Sequence, residues 1–282
     1  MPSTRARWIG LLGGAVLLGG LGLGLGLRAV GYFEAPFDRA RLELSSTGLP
    51  EPATPRETLR AFYSGHSLAD GIPAEVQAIA QSRGQSLEYQ FQSIPGSLIR
   101  QRTKGENPDA PDWPGFRAGK NRGGEGLNVE AELRRKPAHA PNPDAYDALV
   151  VTERHDLPYA IYHERTIEYL RVLHNRLIEG NAQAQDFLYH SWLEIDLDHP
   201  EHFVSYERDA LPLWECAASA VNRGLEADGR RDRVRVLPGA TALAELVEQL
   251  ARGTLPGASG ATARERIQPL FGDRVHLTAL GR

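Results

Sequence analysis

The chain has 282 residues, of which 41% are hydrophobic and 24% are charged, a composition typical of a globular protein with one sizeable core. Its 36 acidic and 32 basic residues give a net charge of -4, which argues against nucleic-acid binding, since that affinity comes mainly from cations facing phosphates. Cys216 is the only cysteine, so an intramolecular disulfide and a paired-cysteine zinc site are both excluded.

The N-terminal residues predict a membrane-spanning segment. The run from Trp8 to Leu27 carries no charge, and a helix of about twenty residues matches the roughly 30 Å hydrocarbon core of a bilayer. Arg5 and Arg7 precede it, which favours a cytoplasmic N-terminus and export of the remainder. The alternative is a signal peptide that is cleaved after export, with Ala29-Val30-Gly31 as the candidate site.

The rest of the chain divides into a short linker and one domain. We expect a membrane anchor or signal over residues 1–28, a proline-rich tether over 29–57 and a single domain over 58–282. If the segment is an uncleaved anchor, the domain lies in the periplasm and is held at the inner membrane. If the segment is cleaved, the domain is exported free.

Hydrophobic periodicity predicts strands that alternate with helices. Strands are predicted in five segments: 59–65, 86–96, 146–153, 186–196 and 233–239. Helices are predicted in four: 73–84, 162–180, 213–224 and 241–253. The polar stretch 101–143 is predicted to be a long loop with a short helix near 129–135. This alternation predicts a mostly parallel sheet covered by helices on both faces, with functional residues at the carboxyl ends of the strands.

Two distant segments carry the residues of a nucleophile and its base. Ser67 lies in GHSLADGIP, between the first strand and the first helix, where a helix N-cap is the alternative role. Asp273 and His276 are three residues apart in DRVHLTALG, a spacing that lets the carboxylate accept from the imidazole Nδ1–H. Because this block is close to Arg282, we expect His276 to be supported by neighbouring loops or by the tether.

Together these two blocks resemble the SGNH (GDSL-like) hydrolase superfamily, with His66 where the family usually has Asp. The resemblance implies a flavodoxin-like three-layer α/β/α fold and ester chemistry without a cofactor or metal. It also implies that Ser67 is the nucleophile, His276 the base and Asp273 the residue that orients the base. The family's oxyanion hole implies backbone N–H groups of Ser67 and Gly96.

The sequence departs from the family where an asparagine usually follows a central strand. Here Glu153 and Arg154 follow the strand in LVVTERHD, as in a bacterial subgroup with a T-E motif and a later Y-x-x-W motif that ends here at Trp192. The candidate substrate-binding residues are His66, Glu153, Arg154 and Trp192. Glu153 is expected to hold a substrate hydroxyl or to pair with Arg154 or His66, and Trp192 is a candidate for sugar stacking. The alternative is a weakened or inactive site.

Some charged residues have an ordinary interpretation. Arg100 and Arg102 are predicted to lie in a solvated loop, and the alternative is that they bind an anionic substrate. His174 is predicted to be a surface residue on a helix. No histidine or carboxylate spacing matches a metal site.

The resulting hypothesis is a serine esterase that acts on an O-acylated carbohydrate, for example an O-acetylated one, or on a small-molecule ester in the cell envelope. The alternatives are an O-acyltransferase of envelope polysaccharide and an inactive carbohydrate-binding protein of the envelope.

Overall fold

The computed structural model describes residues 57–121, 123–136 and 145–282. The predicted anchor and all of the predicted tether except Glu57 lie outside the described residues. Within the described ranges, no helix is both long and apolar enough to cross a membrane.

A five-stranded parallel sheet forms the centre of the domain. Its strands are β1 (Thr58–Gly65), β2 (Ser86–Ser93), β5 (Ala148–Thr152), β6 (Gln185–Tyr189) and β7 (Val234–Leu237). Their order across the sheet is β2-β1-β5-β6-β7, and each neighbouring pair is parallel. Numbered within the sheet this is 2-1-3-4-5, the order of flavodoxin-like doubly wound sheets. A separate two-stranded hairpin, β3 (Gly119–Lys120) with β4 (Gly126–Leu127), lies between β2 and β5 in the chain.

Helices connect the strands. They are α1 (Ile72–Ser82), α2 (Ile99–Thr103), α3 (Val129–Leu133), α4 (Leu157–Glu164), α5 (Thr166–Gly180), α6 (Pro200–Ala227), α7 (Gly239–Arg252) and α8 (Ala263–Ile267). Successive side chains of a strand point to opposite faces, so the helices must cover both.

Both faces of the sheet pack against helices. Ala61 and Tyr63 of β1 belong to one apolar cluster, against which Ala80 of α1 packs. On the opposite face, Asp186 of β6 bonds to His174 of α5. These contacts confirm the predicted α/β domain with a helix layer on each side of a parallel sheet.

Several element boundaries differ from the prediction. The single helix predicted over 162–180 is two helices, because Arg165 between α4 and α5 has a φ of 56°, which ends a right-handed helix. The helix predicted over 213–224 is the longer α6, which continues through Pro212. The predicted loop 101–143 contains the end of α2, the hairpin and α3.

His174 was predicted to lie on the surface, and that prediction is wrong. Its side chain has no exposed area and lies between two carboxylates, with Nδ1 3.1 Å from Asp186 and Nε2 2.6 Å from Asp232. Burial lowers the pKa of His174, but the two carboxylates outweigh it and raise the pKa above its ordinary value. When it is protonated, the imidazole forms a buried ionic link between α5, the start of β6 and the segment before β7.

We expect His174→Asn to destabilise the domain in a pH-dependent way. Because the folded-state pKa of His174 is raised, its stabilisation is fully present below the unfolded value of about 6.5 and is lost as pH rises through the folded value. Chemical denaturation of wild type and variant at about pH 6 and about pH 9 should give the larger difference in unfolding free energy at the lower pH. An equal or larger difference at the higher pH would contradict this assignment.

Candidate active site

Ser67 lies just beyond the carboxyl end of β1, the second strand in the order of the sheet. It begins a short 3₁₀ turn, Ser67–Ala69, that precedes α1, and its side chain is half-buried. The turn requires a glycine at position 65, because a Cβ there would lie 2.7 Å from the Cβ of Ala69 and 3.1 Å from the Cγ2 of Thr152. The Ser67 hydroxyl is thus presented at the edge of the sheet by a tightly packed turn.

The structure brings Ser67, His276 and Asp273 together. His276 Nε2 is 3.0 Å from Ser67 Oγ, and His276 Nδ1 is 2.7 Å from Asp273 Oδ2. These residues form a continuous hydrogen-bond chain although Ser67 and His276 are 209 positions apart in the sequence. The His276 and Asp273 side chains are 46% and 57% exposed, so water reaches this chain directly.

Asp273 is held in its ionised form by hydrogen bonds. Its Oδ1 accepts from the backbone N–H groups of His276 and Val275, both at 2.7 Å, and its Oδ2 faces His276 Nδ1. These bonds lower the pKa of Asp273 to about 2. An ionised Asp273 fixes the proton of neutral His276 on Nδ1, which leaves Nε2 free to accept the hydrogen of the Ser67 hydroxyl.

Contacts within residues 271–277 hold His276 in place. Phe271 and Leu277 form an isolated antiparallel bridge, and the backbone N–H of Gly272 donates to the carbonyl of His276 at 2.8 Å. The segment therefore closes on itself around the Asp273–His276 pair.

Trp192 supports the same segment from inside the protein. Its ring is only 2% exposed, and its Nε1–H donates to the carbonyl of Val275 at 2.7 Å. Nearby, the N–H of Ile195 donates to the carbonyl of Arg274 at 2.7 Å. The loop after β6 is therefore one of the neighbouring loops that were expected to support His276. Trp192 had been expected to contact substrate, but its ring is packed away from the surface.

Gly96 lies in an exposed turn after β2. Its φ of 67° is in the left-handed region that favours glycine, and the N–H of Ile94 ties this turn to the carbonyl of Gly65 at 3.1 Å. Within the described part of the chain, the backbone N–H groups of Gly96 and Ser67 have no hydrogen-bond partner. Both remain available to an external acceptor.

Glu153 is turned away from the surface. Its side chain has no exposed area, and its carboxylate accepts hydrogen bonds from the N–H of Ile99, the N–H of Arg154 and the hydroxyl of Thr166. The expected pairing with Arg154 is thus a backbone contact. All of the carboxylate's hydrogen bonds are to groups within the protein, which leaves no part of it facing substrate. The Arg154 side chain is half-buried and pairs with Asp156 at 2.8 Å.

His66, which precedes Ser67, is also buried. Its Nε2 is 3.1 Å from the carbonyl oxygen of Glu153, and its Nδ1 is 3.4 Å from the N–H of Leu68. Burial, with a smaller contribution from the nearby charge of Arg102, lowers the pKa of His66 to about 4. At neutral pH, His66 is therefore uncharged, with its proton on Nε2 directed at Glu153.

Arg100 and Arg102 are both buried, which overturns the prediction of a solvated loop. Arg100 pairs with Glu164 and with two backbone carbonyls, and Arg102 is completely enclosed. The polar sequence around them carries no periodic signal of burial, so only the structure identifies them. Across the described residues, no group of three or more His, Cys, Asp or Glu side chains is arranged to hold a metal ion.

A surface cavity of about 370 Å³ lies beside the nucleophile turn. It is lined by the start of α1, the end of β2 and the tip of the hairpin: Asp70, Gly71, Pro73, Tyr89, Phe91, Ser93, Lys120, Asn121 and Gly124. The hydroxyl of Ser93 donates to the carboxylate of Asp70, which joins the β2 and α1 walls. The lining combines aromatic rings with hydrogen-bonding side chains.

No family model and no curated protein matches the chain. Similar solved structures include a DUF4886 family protein from Bacteroides uniformis, at 13% identity and a TM-score of 0.46, covering 78% of this chain and 76% of that one. An acetyl xylan esterase from Butyrivibrio proteoclasticus has 13% identity and a TM-score of 0.38, covering 72% and 66%. A carbohydrate esterase family 2 enzyme from Corynascus thermopiles has 13% identity and a TM-score of 0.34, covering 71% and 67%. Likenesses of this size assign no activity.

Proposed function

We propose that the chain is a serine esterase that removes an acyl group from an O-acylated carbohydrate. The observation that carries the proposal is the hydrogen-bond chain from Ser67 through His276 to Asp273, with distances of 3.0 and 2.7 Å. A serine hydroxyl is a weak nucleophile at neutral pH and needs a base within hydrogen-bond reach, which His276 supplies. The resemblance of both sequence blocks to SGNH hydrolases is consistent with this chemistry.

In the acylation step, Ser67 Oγ attacks the carbonyl carbon of the ester while His276 Nε2 takes the hydroxyl proton. The ionised Asp273 stabilises the imidazolium that forms. The carbonyl oxygen becomes an oxyanion, for which the unpartnered N–H groups of Ser67 and Gly96 are the proposed donors. The tetrahedral intermediate then collapses, and the bond from the acyl carbon to the sugar oxygen breaks. His276 gives its proton to that oxygen, so the sugar leaves as a free hydroxyl and the acyl group stays on Ser67.

In the second step, His276 removes a proton from water, and the resulting attack on the acyl–Ser67 ester releases the carboxylic acid. The 46% exposure of the His276 side chain favours water as the acceptor, because transfer to a sugar requires a site that excludes water. This exposure makes hydrolysis the preferred proposal over acyl transfer.

The cavity that borders Asp70 is the proposed binding site for the carbohydrate. It begins at Asp70, three residues after Ser67, and combines Tyr89 and Phe91 with polar groups such as Lys120. Sugar rings pack on aromatic faces, and their hydroxyls need polar partners. The uncharged run from Trp8 to Leu27 is the basis for proposing a glycan or small ester of the cell envelope, with the domain in the periplasm.

We expect Ser67→Ala to abolish ester hydrolysis. Removal of the nucleophilic oxygen should lower kcat on p-nitrophenyl acetate by roughly 10⁴-fold or more. The loss of one half-buried hydroxyl should leave the thermal unfolding midpoint near that of the wild type. A fluorophosphonate probe should label wild-type protein at Ser67 and leave the variant unlabelled. An unlabelled wild type would instead favour the non-catalytic carbohydrate-binding alternative.

We expect Asp273→Asn to impair catalysis without unfolding the protein. The amide oxygen can still accept from the N–H groups of Val275 and His276, but the amide NH₂ would face Nδ1 and move the imidazole proton to Nε2. By analogy with the same change in serine proteases, kcat should fall by about 10⁴-fold. Asp198→Asn is the matched control, because Asp198 is an exposed carboxylate paired with Arg264. Equal rates for the two variants would rule out the proposed role of Asp273.

We expect Lys120→Ala to weaken binding of a glycan without affecting a small ester. The loss of one hydrogen bond of about 1 kcal/mol should raise KM for an acetylated oligosaccharide by about fivefold. Hydrolysis of p-nitrophenyl acetate, which is too small to span the cavity, should be unchanged and serves as the internal control. If Lys120→Ala impairs hydrolysis of both substrates equally, or of neither, the cavity is not the glycan-binding site.

A further inference from the structure

A buried polar cluster lies directly behind the candidate active site. Its central residue is Arg102, which has no exposed area. The guanidinium Nε donates to Ser64 Oγ at 3.0 Å, and Nη1 donates to the carbonyl and hydroxyl of Ser97 at 2.7 and 2.9 Å. Nη2 donates to the carbonyl of Thr152. One side chain thus joins the end of β1, the loop that contains Gly96 and the end of β5.

Glu153, which directly follows β5, is joined to the starts of α2 and α5 by a second set of bonds. Its carboxylate accepts from the N–H of Ile99, the first residue of α2 and three positions after Gly96. It also accepts from the hydroxyl of Thr166 at 2.7 Å. The nearby charge of Arg102 compensates part of the cost of burying this carboxylate.

His66 completes the connection to the nucleophile. The Nε2–H of this buried, uncharged imidazole donates to the backbone carbonyl of Glu153, and the hydroxyl of Ser191 donates to the same oxygen at 2.9 Å. His66 is covalently adjacent to Ser67, and its carbonyl accepts from the N–H of Ala69 at 2.9 Å. Movement of Glu153 would therefore displace both the Ser67 turn and the start of α2.

We propose that Arg102, Glu153 and His66 are positioning residues that set the Ser67 turn and the Gly96 loop at a fixed distance, so that their two N–H groups meet one oxyanion. None of the three touches the reacting atoms. The role rests on the proposed esterase function. It also explains how an acidic residue can follow β5 without repelling an oxyanion, because the Glu153 carboxyl group is buried and bonds to Ile99, Arg154 and Thr166.

Glu153→Gln is the principal test. The substitution preserves size but replaces one oxygen by an NH₂ group, which cannot accept from the N–H groups of Ile99 and Arg154 or from the Thr166 hydroxyl. A misplaced oxyanion donor should lower kcat on p-nitrophenyl acetate by about 10²-fold, with KM nearly unchanged. The rate of fluorophosphonate labelling should fall in parallel, because the phosphoryl oxygen of the probe gains negative charge in a five-coordinate transition state and needs the same N–H donors until fluoride leaves.

Asp186→Asn is the matched control for burial and stability. Asp186 is an equally buried carboxylate in the same sheet, but it bonds to His174 at the amino end of β6, away from Ser67. This variant should lose thermal stability and keep the wild-type kcat. The kcat of each variant is measured at a temperature the same number of degrees below its own unfolding midpoint. If Asp186→Asn and Glu153→Gln then lower kcat equally, the effect of Glu153 is structural and the positioning role is wrong.

Ser97→Ala provides a milder variant in case Glu153→Gln does not fold. It removes the hydroxyl of the residue after Gly96, which accepts from Arg102 at 2.9 Å and donates to the carbonyl of Ile94 at 2.7 Å. We expect a several-fold fall in kcat with KM unchanged. If the wild type is active and the variants that fold have the same kcat as the wild type, the positioning role is wrong and the esterase proposal stands. A wild type that neither hydrolyses ester nor reacts with the probe overturns the esterase proposal as well.

Discussion

Parallel strands must all leave a sheet at the same edge, because each returning connection begins where a strand ends. This constraint gathers the Ser67 turn after β1, the Gly96 turn after β2, Glu153 after β5 and Trp192 after β6. None of these segments is close to the next in sequence. The strand order fixes their spacing, and the buried groups of Arg102 and Glu153 add hydrogen bonds across the gaps between them. The candidate site is therefore assembled by the topology of the sheet before any substrate arrives.

The base reaches this edge by a different route. His276 does not follow a strand of the sheet. It lies on a short segment held by the Phe271–Leu277 bridge and by the indole of Trp192. The Ser67 turn is packed into the core, whereas Asp273 and His276 are substantially exposed. Close packing therefore fixes Ser67. The Asp273–His276 pair is held by a small number of hydrogen bonds that water can reach.

Local patterns in the sequence predicted much of this arrangement. The five strands and the parallel sheet follow from hydrophobic periodicity, and the structure brings together Ser67, Asp273 and His276, which their two sequence blocks had singled out. The buried cluster was not predictable, because nothing near Arg102 in the sequence distinguishes an enclosed guanidinium from a solvated one. Likewise, the residue type of Glu153 suggested a surface carboxylate. The direction of its side chain depends on Ile99 and Thr166, which are distant in sequence. The break at Arg165 was not predictable, because an arginine is compatible with a helix and only its backbone conformation ends one here.

That break has a consequence for charge. Because Arg165 adopts a left-handed conformation, a new helix begins at Thr166, and its positive dipole end faces the Glu153 carboxylate together with the Thr166 hydroxyl. A continuous helix would have no N-terminus at this position, and the carboxylate would lose a favourable field. A left-handed arginine costs about 1 to 2 kcal/mol in backbone energy. The fold thus accepts strain in one exposed residue and gains a helix N-terminus next to a buried carboxyl group, whose pKa is raised by that burial.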